Sequence, residues 1–155
     1  MTIPIDIRAA LRTDVPAIVA LVTNVLGEFG LEFGSGATTD EQLRDLPDSY
    51  AAFGGAFWVA TDDRIVGMCG VFPIAPATFE LRKMYLHPAA RGRRLGARLL
   101  DVAIEWTRAH GGARIVLDTI EEMTRAIAFY EANGFVRDDC QIRGSRCTRG
   151  YSRTV

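Results

Sequence analysis

The chain has 155 residues, of which 48% are hydrophobic and 24% are charged. This composition is typical of a globular domain with a full hydrophobic core, and we expect one domain over residues 1–155. The 18 basic and 19 acidic residues give a net charge of −1, which disfavours general binding to nucleic acid.

The cysteines and the N-terminal residues indicate the cellular compartment in which the protein is expected. The three cysteines show neither a CxxC pair nor a Cys/His spacing, so we expect no disulfide framework and no metal site. Asp6, Arg8, Arg12 and Asp14 interrupt the apolar stretch that a signal peptide needs, and no uncharged run reaches the roughly 20 residues of a membrane span. The sequence therefore predicts a cytoplasmic protein that does not associate with membranes.

The first third of the chain predicts one strand and two helices. Isoleucines at positions 3, 5 and 7 alternate with other residues, which predicts a strand with one buried face. A helix follows, with Thr13 or Asp14 as its N-cap and Pro16 in its first turn. A second start signal at residues 38–41 predicts a short helix that reaches Leu46.

The remaining elements alternate between strands and helices. Two segments around residues 61–63 predict an antiparallel hairpin. In chain order the predicted elements are strands 56–60, 64–74 and 78–86, helix 95–110, strand 114–119, helix 122–132, and two strands around 135–142 and 146–153. Because a helix joins strand 78–86 to strand 114–119, these two strands should be parallel neighbours in one sheet. The order predicts a mixed α/β fold.

The segment after strand 78–86 carries the most chemistry. It leads through Arg91 and Gly92 into a helix whose first turn contains Gly96. Glycines allow a ligand to approach the backbone, and the free N–H groups at a helix N-terminus bind anions such as a pyrophosphate. A solvated basic first turn is the structural alternative, although cations there oppose the helix dipole. The sequence has neither GxGxxG nor GxxxxGK[ST], which excludes Rossmann and P-loop sites.

Two motifs in this order resemble those of the GCN5-related N-acetyltransferases, the GNAT superfamily. The first is RGRRLG at residues 91–96, which follows a strand and His87-Pro88, and the second is AIAFYEANGF at residues 126–135. The resemblance implies a central, mostly antiparallel sheet of six to seven strands with one splayed parallel pair, and four helices. Arg94 stands where the family most often has a glycine, and Met123 stands where many members have an asparagine that contacts the cofactor.

The same resemblance implies acetyl transfer from acetyl-coenzyme A to a primary amine of a small molecule, peptide or protein, in a ternary complex. The pantetheine arm would pair with strand 78–86, and a backbone N–H near Met84 or Tyr85 would donate to the thioester oxygen. The implied cofactor-binding residues are Met84, Tyr85, Leu86, Arg91, Gly92, Arg93, Arg94, Leu95 and Gly96. No metal is implied.

The reaction has two proton transfers. The resemblance assigns to Tyr130 the protonation of the leaving thiolate, whereas its helical spacing alone would also suit a core aromatic residue. An alkyl amine with a pKa near ~10.4 must lose a proton before it attacks. Glu80 and Asp118 are the candidate bases, with water as a third route, and an ion pair with Arg82 or Lys83 is the structural alternative for Glu80.

The resemblance implies that residues 25–46 determine which acceptor is bound. Glu28, Phe29 and Phe33 are the candidate substrate-binding residues there, because acidic groups beside aromatic rings suit a cationic amine. A solvated acidic loop with core aromatics fits the same residues. The alternative function is a non-catalytic acyl-coenzyme A binding or sensor domain. The sequence leaves the acceptor unidentified, and a homodimer through the C-terminal strands is compatible with it.

Overall fold

The computed structural model describes residues 3–34 and 38–155. Its centre is a seven-stranded sheet in the order β1-β2-β3-β4-β5-β7-β6. The strands are β1 (Asp6–Ala9), β2 (Ala56–Thr61), β3 (Ile65–Ala75), β4 (Thr78–Leu86), β5 (Arg114–Thr119), β6 (Val136–Arg137) and β7 (Arg149–Thr154). Strands β4 and β5 are parallel and the other neighbours are antiparallel, which confirms the predicted mixed α/β sheet.

Five α-helices accompany this sheet in the described residues, one more than predicted. They are α1 (Val15–Gly27), α2 (Thr38–Glu41), α3 (Asp48–Ala51), α4 (Leu95–Ala109) and α5 (Thr124–Ala132). Helix α2 continues as a 3₁₀ turn to Asp45, close to the predicted end at Leu46. The additional helix, α3, is a single turn, too short to give a periodic signal in the sequence.

The sheet has a hydrophobic core on each face. Alternation along β2 divides its side chains, so that Trp58 and Ala60 join the core with α4 and α5, while Phe57 and Val59 join the core with α1. Helix α1 buries a continuous apolar stripe against the second core, which explains why its spacing predicted it correctly. Both faces of the sheet are therefore covered by hydrophobic cores. A ligand that reaches the centre of the sheet must then enter between two strands.

Strands β4 and β5 pair over only part of their length. Their register joins Thr78 to Arg114 and ends with Glu80 opposite Val116, although both strands continue. On its other edge, β4 carries a bulge opposite β3, and Lys83 within it has a left-handed backbone with φ of 56°. The bulge turns the second half of β4 away from β5, and the gap that results is where the predicted site lies.

Two predictions at the start of the chain were only partly right, since the first strand and the N-cap position are present but differ in detail. Strand β1 begins at Asp6, and Ile3 is 49% exposed, because the pairing with β2 starts only at Asp6. Asp14 lies at the N-cap position of α1, but its side chain makes no cap there. It instead accepts hydrogen bonds from the Leu11 N–H and from the Arg8 guanidinium, at 2.7 to 2.9 Å.

The C-terminal segment also differs from the prediction. Strand β6 has two residues rather than eight, and a 3₁₀ turn at 139–141 follows it. Strand β7 begins at Arg149, so residues 143–147 form a loop beside the end of β5. Over residues 3–34 and 38–155, no helix combines the length and the apolar character needed to cross a bilayer.

Candidate active site

Two cavities meet at the gap between β4 and β5. The helix-side cavity, about 600 Å³, lies between the end of β4 and the first turns of α4 and α5. The loop-side cavity, about 450 Å³, lies between β4, β5, α2 and the loop 143–147. The residues that line both are Met84, Tyr85, Met123, Ala126 and Tyr130. A ligand in one cavity can therefore reach a ligand in the other only past these side chains.

The helix-side cavity contains the start of α4. The first hydrogen bond of that helix runs from the Arg98 N–H to the Arg94 carbonyl, so the N–H groups of Leu95, Gly96 and Ala97 lie before the helical ladder begins. Arg94 has a left-handed backbone with φ of 61°, which explains why a glycine suits this position better. The predicted cofactor-binding residues line this cavity, with the exception of the exposed Arg93.

Arg91 lines the helix-side cavity, but its guanidinium is already engaged. It donates to both carboxylate oxygens of Glu28, at 2.9 and 2.7 Å, and to the Leu86 carbonyl at 3.1 Å. The hydrogen bonds from Arg91 hold the pKa of the Glu28 carboxyl below its usual value. Arg91 thus ties the end of α1 to the end of β4.

The three predicted substrate-binding residues do not come together at the loop-side cavity. Glu28 binds Arg91, and Phe29 lines the helix-side cavity. The Phe33 ring packs under the Arg44 guanidinium, whose central carbon lies 5.1 Å from the centroid of the ring. Among the residues that the structure describes, none of these three lines the loop-side cavity.

Tyr130 lies where the two cavities join. Helix α5 turns it and Ile127 toward the sheet, and the Tyr130 ring makes edge contacts with Phe129 and Phe135, both at 5.6 Å between centroids. Burial raises the pKa of Tyr130 above that of a free phenol, and the neighbouring Tyr85 adds to the shift. Tyr130 therefore keeps its proton at neutral and mildly alkaline pH.

Glu80 projects into the loop-side cavity from β4 and is 5% exposed. Its Oε1 accepts a hydrogen bond from Arg82 Nε at 2.5 Å, as the structural alternative had suggested. Its Oε2 is buried and makes no hydrogen bond to any residue of the described chain. Arg143 Nε lies 3.5 Å from that oxygen. One carboxylate oxygen of Glu80 is thus held by Arg82, while the other is buried beside the Arg143 guanidinium without a hydrogen bond.

Asp118, the second candidate base, lies near the end of β5 and anchors the loop 143–147. Its Oδ2 accepts hydrogen bonds from the N–H groups of Arg143 and Gly144, each at 2.7 Å. Burial and the nearby Asp118 raise the pKa of the Cys147 thiol to about 12, so this cysteine is not a thiolate at neutral pH. Asp118 therefore lines the same cavity as Glu80, but its carboxylate stabilises the backbone of the loop 143–147.

Sequence reasoning missed the charged cluster that closes the loop-side cavity. Asp40 on α2 is fully buried and pairs with Lys83 on β4 and with Arg146, whose guanidinium lies 3.4 Å away. Burial works to raise the pKa of Asp40, but Lys83, the Gly34 N–H and Arg146 together lower it. The signals available were a single lysine in the whole chain and an arginine-rich segment after Cys140.

Two relatives that match most of the chain are N-acetyltransferases by name. The chain is 36% identical over 141 residues to YjgM, an uncharacterized N-acetyltransferase of Escherichia coli K12, and the match covers 88% of this chain and 84% of that one. It is 35% identical over 127 residues to the probable N-acetyltransferase camello of Xenopus laevis, with 77% of this chain and 57% of that one covered.

The fold is also shared with solved structures. A GNAT-family acetyltransferase of Staphylococcus aureus Mu50 superposes with a TM-score of 0.89 at 24% identity, covering 97% of this chain and 99% of that one. The PaiA N-acetyltransferase of Thermoplasma acidophilum, solved with coenzyme A, superposes with a TM-score of 0.79 at 19% identity, covering 98% and 99%. The model of the acetyltransferase (GNAT) family matches residues 25–135. The chain therefore belongs to the GNAT family of acetyltransferases.

Proposed function

We propose that this chain transfers an acetyl group from acetyl-coenzyme A to the primary amine of a second substrate by direct attack. The observation that carries the proposal is the meeting of two cavities at Tyr130, with a helix N-terminus on one side and a buried carboxylate on the other. Acetyl-coenzyme A fits the helix-side cavity and the amine fits the loop-side cavity. Attack then takes place where Met84, Tyr85 and Tyr130 border both.

The helix-side cavity offers backbone groups for both halves of the coenzyme. Beyond Glu80 the edge of β4 no longer pairs with β5, so the backbone of Met84, Tyr85 and Leu86 is available to the pantetheine arm as to an added strand. The N–H groups of the first turn of α4 point at the place where a pyrophosphate would lie.

Four groups of the chain would divide the chemistry. Glu80 accepts the proton of the attacking amine on Oε2, the oxygen without a hydrogen bond. A backbone N–H of Met84 or Tyr85 stabilises the negative charge that develops on the thioester oxygen. As the new C–N bond forms and the C–S bond breaks, Tyr130 gives its proton to the sulfur, and Asp118 holds the loop 143–147 over the acceptor.

The substitution Tyr130→Phe tests the assigned acid. It removes the hydroxyl and keeps the ring, so we expect kcat to fall by about 10²–10⁴-fold while the Kd for coenzyme A stays the same. Tyr151→Phe is the matched control, because Tyr151 lies outside both cavities and would lose only its hydrogen bonds to Glu131 and Arg149. Equal turnover in the two variants would refute the role of Tyr130.

Thermal unfolding with acetyl-coenzyme A, coenzyme A or ATP tests the coenzyme itself. A ligand at ~100 times its Kd stabilises the native state by about 2.7 kcal/mol, which for a chain of 155 residues raises Tm by about 8 °C. We expect this shift with both coenzyme A forms and little shift with ATP. No shift with either coenzyme A form would overturn the proposed function.

A further inference from the structure

The loop-side cavity has more cations than carboxylates around it. Its lining includes the two carboxylates of Glu80 and Asp118. It also includes four cationic side chains: Arg82, Lys83, Arg143 and Arg146. Even when the buried Asp40 behind the lining is counted, one positive charge is in excess. An acceptor with only cationic groups, such as a polyamine, would add to that excess, whereas an acceptor that carries an anion would balance it.

The partners of these cations show where the excess lies. Lys83 and Arg146 share Asp40. Arg82 donates to Glu80 and to the Gln42 side chain, and its guanidinium lies 4.2 Å from the centroid of the Phe72 ring. These contacts fix three of the four cations in the wall of the cavity.

Arg143 differs from the other three cations. Its side chain is 52% exposed, and within the described part of the chain its guanidinium makes no hydrogen bond, its nearest acid being Glu80 Oε2 at 3.5 Å. Asp118 fixes the backbone of Arg143, so this guanidinium is presented at the cavity by a built anchor rather than by a loose loop. A planar guanidinium with free N–H groups binds a carboxylate through two parallel hydrogen bonds.

The proximity of Arg143 to Glu80 sets the shape of the acceptor. The oxygen that would take the amine proton and the guanidinium that would take an anion are 3.5 Å apart. An amine and a carboxylate on the same or adjacent carbons fit this separation. The ε-amine of lysine, which five carbons separate from the carboxylate, matches this separation only when the side chain folds back on itself.

We propose that the acceptor is a free amino acid, whose carboxylate binds the Arg143 guanidinium while its α-amine faces Glu80. This inference rests on the proposed acetyl transfer and adds the substrate class to it. The side chain of the amino acid would extend along the apolar part of the cavity, which Leu26, Leu31 and Leu117 line. The product is an N-acetyl amino acid, which retains the carboxylate and loses the charge on nitrogen.

Matched acceptors test the carboxylate. The panel consists of leucine, leucinamide and isopentylamine, then phenylalanine, phenylalaninamide and phenethylamine, with spermidine and a hexapeptide as further arms. Release of coenzyme A thiol measures kcat/KM. We expect at least one free amino acid to exceed its amide by about tenfold to a hundredfold, since the carboxylate makes charge-assisted hydrogen bonds that the amide cannot. Preference for the amides, the simple amines, spermidine or the peptide would overturn the inference.

Variants of Arg143 test the residue. We expect Arg143→Gln to raise KM for the amino acid by about tenfold or more, with the smaller loss in kcat and no change with the amide, and Arg143→Lys to restore part of the affinity. Arg108→Gln on the exposed side of α4 is the control and should behave as wild type. An Arg143→Gln variant that keeps the wild-type preference for the acid would refute the assignment.

A binding measurement separates this inference from the proposed function. In the presence of coenzyme A, N-acetyl-leucine or N-acetyl-phenylalanine should raise Tm more than the matching N-acetyl amide, and Arg143→Gln should remove the difference. If coenzyme A stabilises the protein but the acids neither react nor stabilise it further, the amino-acid inference is wrong and the acetyltransferase proposal stands. If coenzyme A itself fails to stabilise the protein, both are wrong.

Discussion

The buried carboxylate of Asp40 is expected to be the most sensitive charge in the protein. It has no exposed surface, and it binds Lys83, the Gly34 N–H at 2.8 Å and Arg146 at 3.4 Å. The change Asp40→Asn keeps the size of the side chain and an oxygen for Gly34 but removes the charge. It leaves the ammonium of Lys83, whose side chain is 6% exposed, without its carboxylate.

The expected magnitude follows from burial. Breaking a buried ion pair by removing one partner costs about 3–5 kcal/mol, whereas an exposed pair contributes about 0–1 kcal/mol. The pair between Arg12 and Asp48 supplies the matched control, because their side chains are 72% and 69% exposed. With about 2.1 cal/mol/K of unfolding entropy per residue, 155 residues convert these costs to about 9–15 °C of Tm for Asp40→Asn and about 0–3 °C for Asp48→Asn.

Urea denaturation and thermal scans of both variants give the measurement. A double variant, Asp40→Asn with Lys83→Met, should recover much of the loss, because an apolar side chain of similar length replaces the uncompensated charge. Similar losses for Asp40→Asn and Asp48→Asn would refute the reasoning, since they would show that Lys83 reaches water as easily as Arg12 does. A double variant less stable than Asp40→Asn alone would contradict the account in the same way.

Three further outcomes are expected. Arg94→Gly should raise the free energy of unfolding by about 1 kcal/mol in urea titrations, because glycine relieves a left-handed backbone, whereas Arg93→Gly should give no gain. Met123→Asn places a hydrogen-bonding amide between the two cavities and should lower the Kd for coenzyme A by about two- to tenfold in calorimetry. The Arg8 hydrogen bond lowers the pKa of Asp14, and Lys83 and Gly34 outweigh burial to lower that of Asp40. Their stabilisation is therefore present above about pH 4 and lost as pH falls through the folded pKa values, so Asp40→Asn should flatten the acid limb of stability measured by circular dichroism.

Local periodicity and chain order explain most of what the sequence could predict. The apolar stripes of α1 and α4 and the hairpin of β2 and β3 depend on neighbouring residues, and the structure confirms them. The parallel pairing of β4 with β5 followed from the crossover rule. The start of α4 was located by its motif, because a helix N-terminus and its glycines are contiguous in the chain.

The loop-side cavity could not be predicted in this way. Its charged residues come from α2, β4, β5 and the loop 143–147, which lie more than one hundred residues apart at the extremes. No local pattern relates Asp40 to Arg146, and a polar arginine-rich tail usually indicates a solvated end. Glu28 is the converse case: it lies beside aromatic residues in sequence, but its carboxylate binds Arg91, 63 positions later.

The two ion pairs that the sequence did not reveal have a common geometric effect. The segment from α1 to α2 is attached to β4 at two places: Glu28 binds Arg91, which also holds the Leu86 carbonyl, and Asp40 binds Lys83 within the bulge. One attachment borders the helix-side cavity and the other closes the loop-side cavity. Neither the partly exposed Glu28–Arg91 pair nor the buried Asp40–Lys83 pair is expected to contribute much net stability compared with apolar side chains of the same size. Their benefit here is positional, because both cavities take their walls from the same strand at a fixed separation, and the proposed coenzyme and amine meet only if that separation is kept.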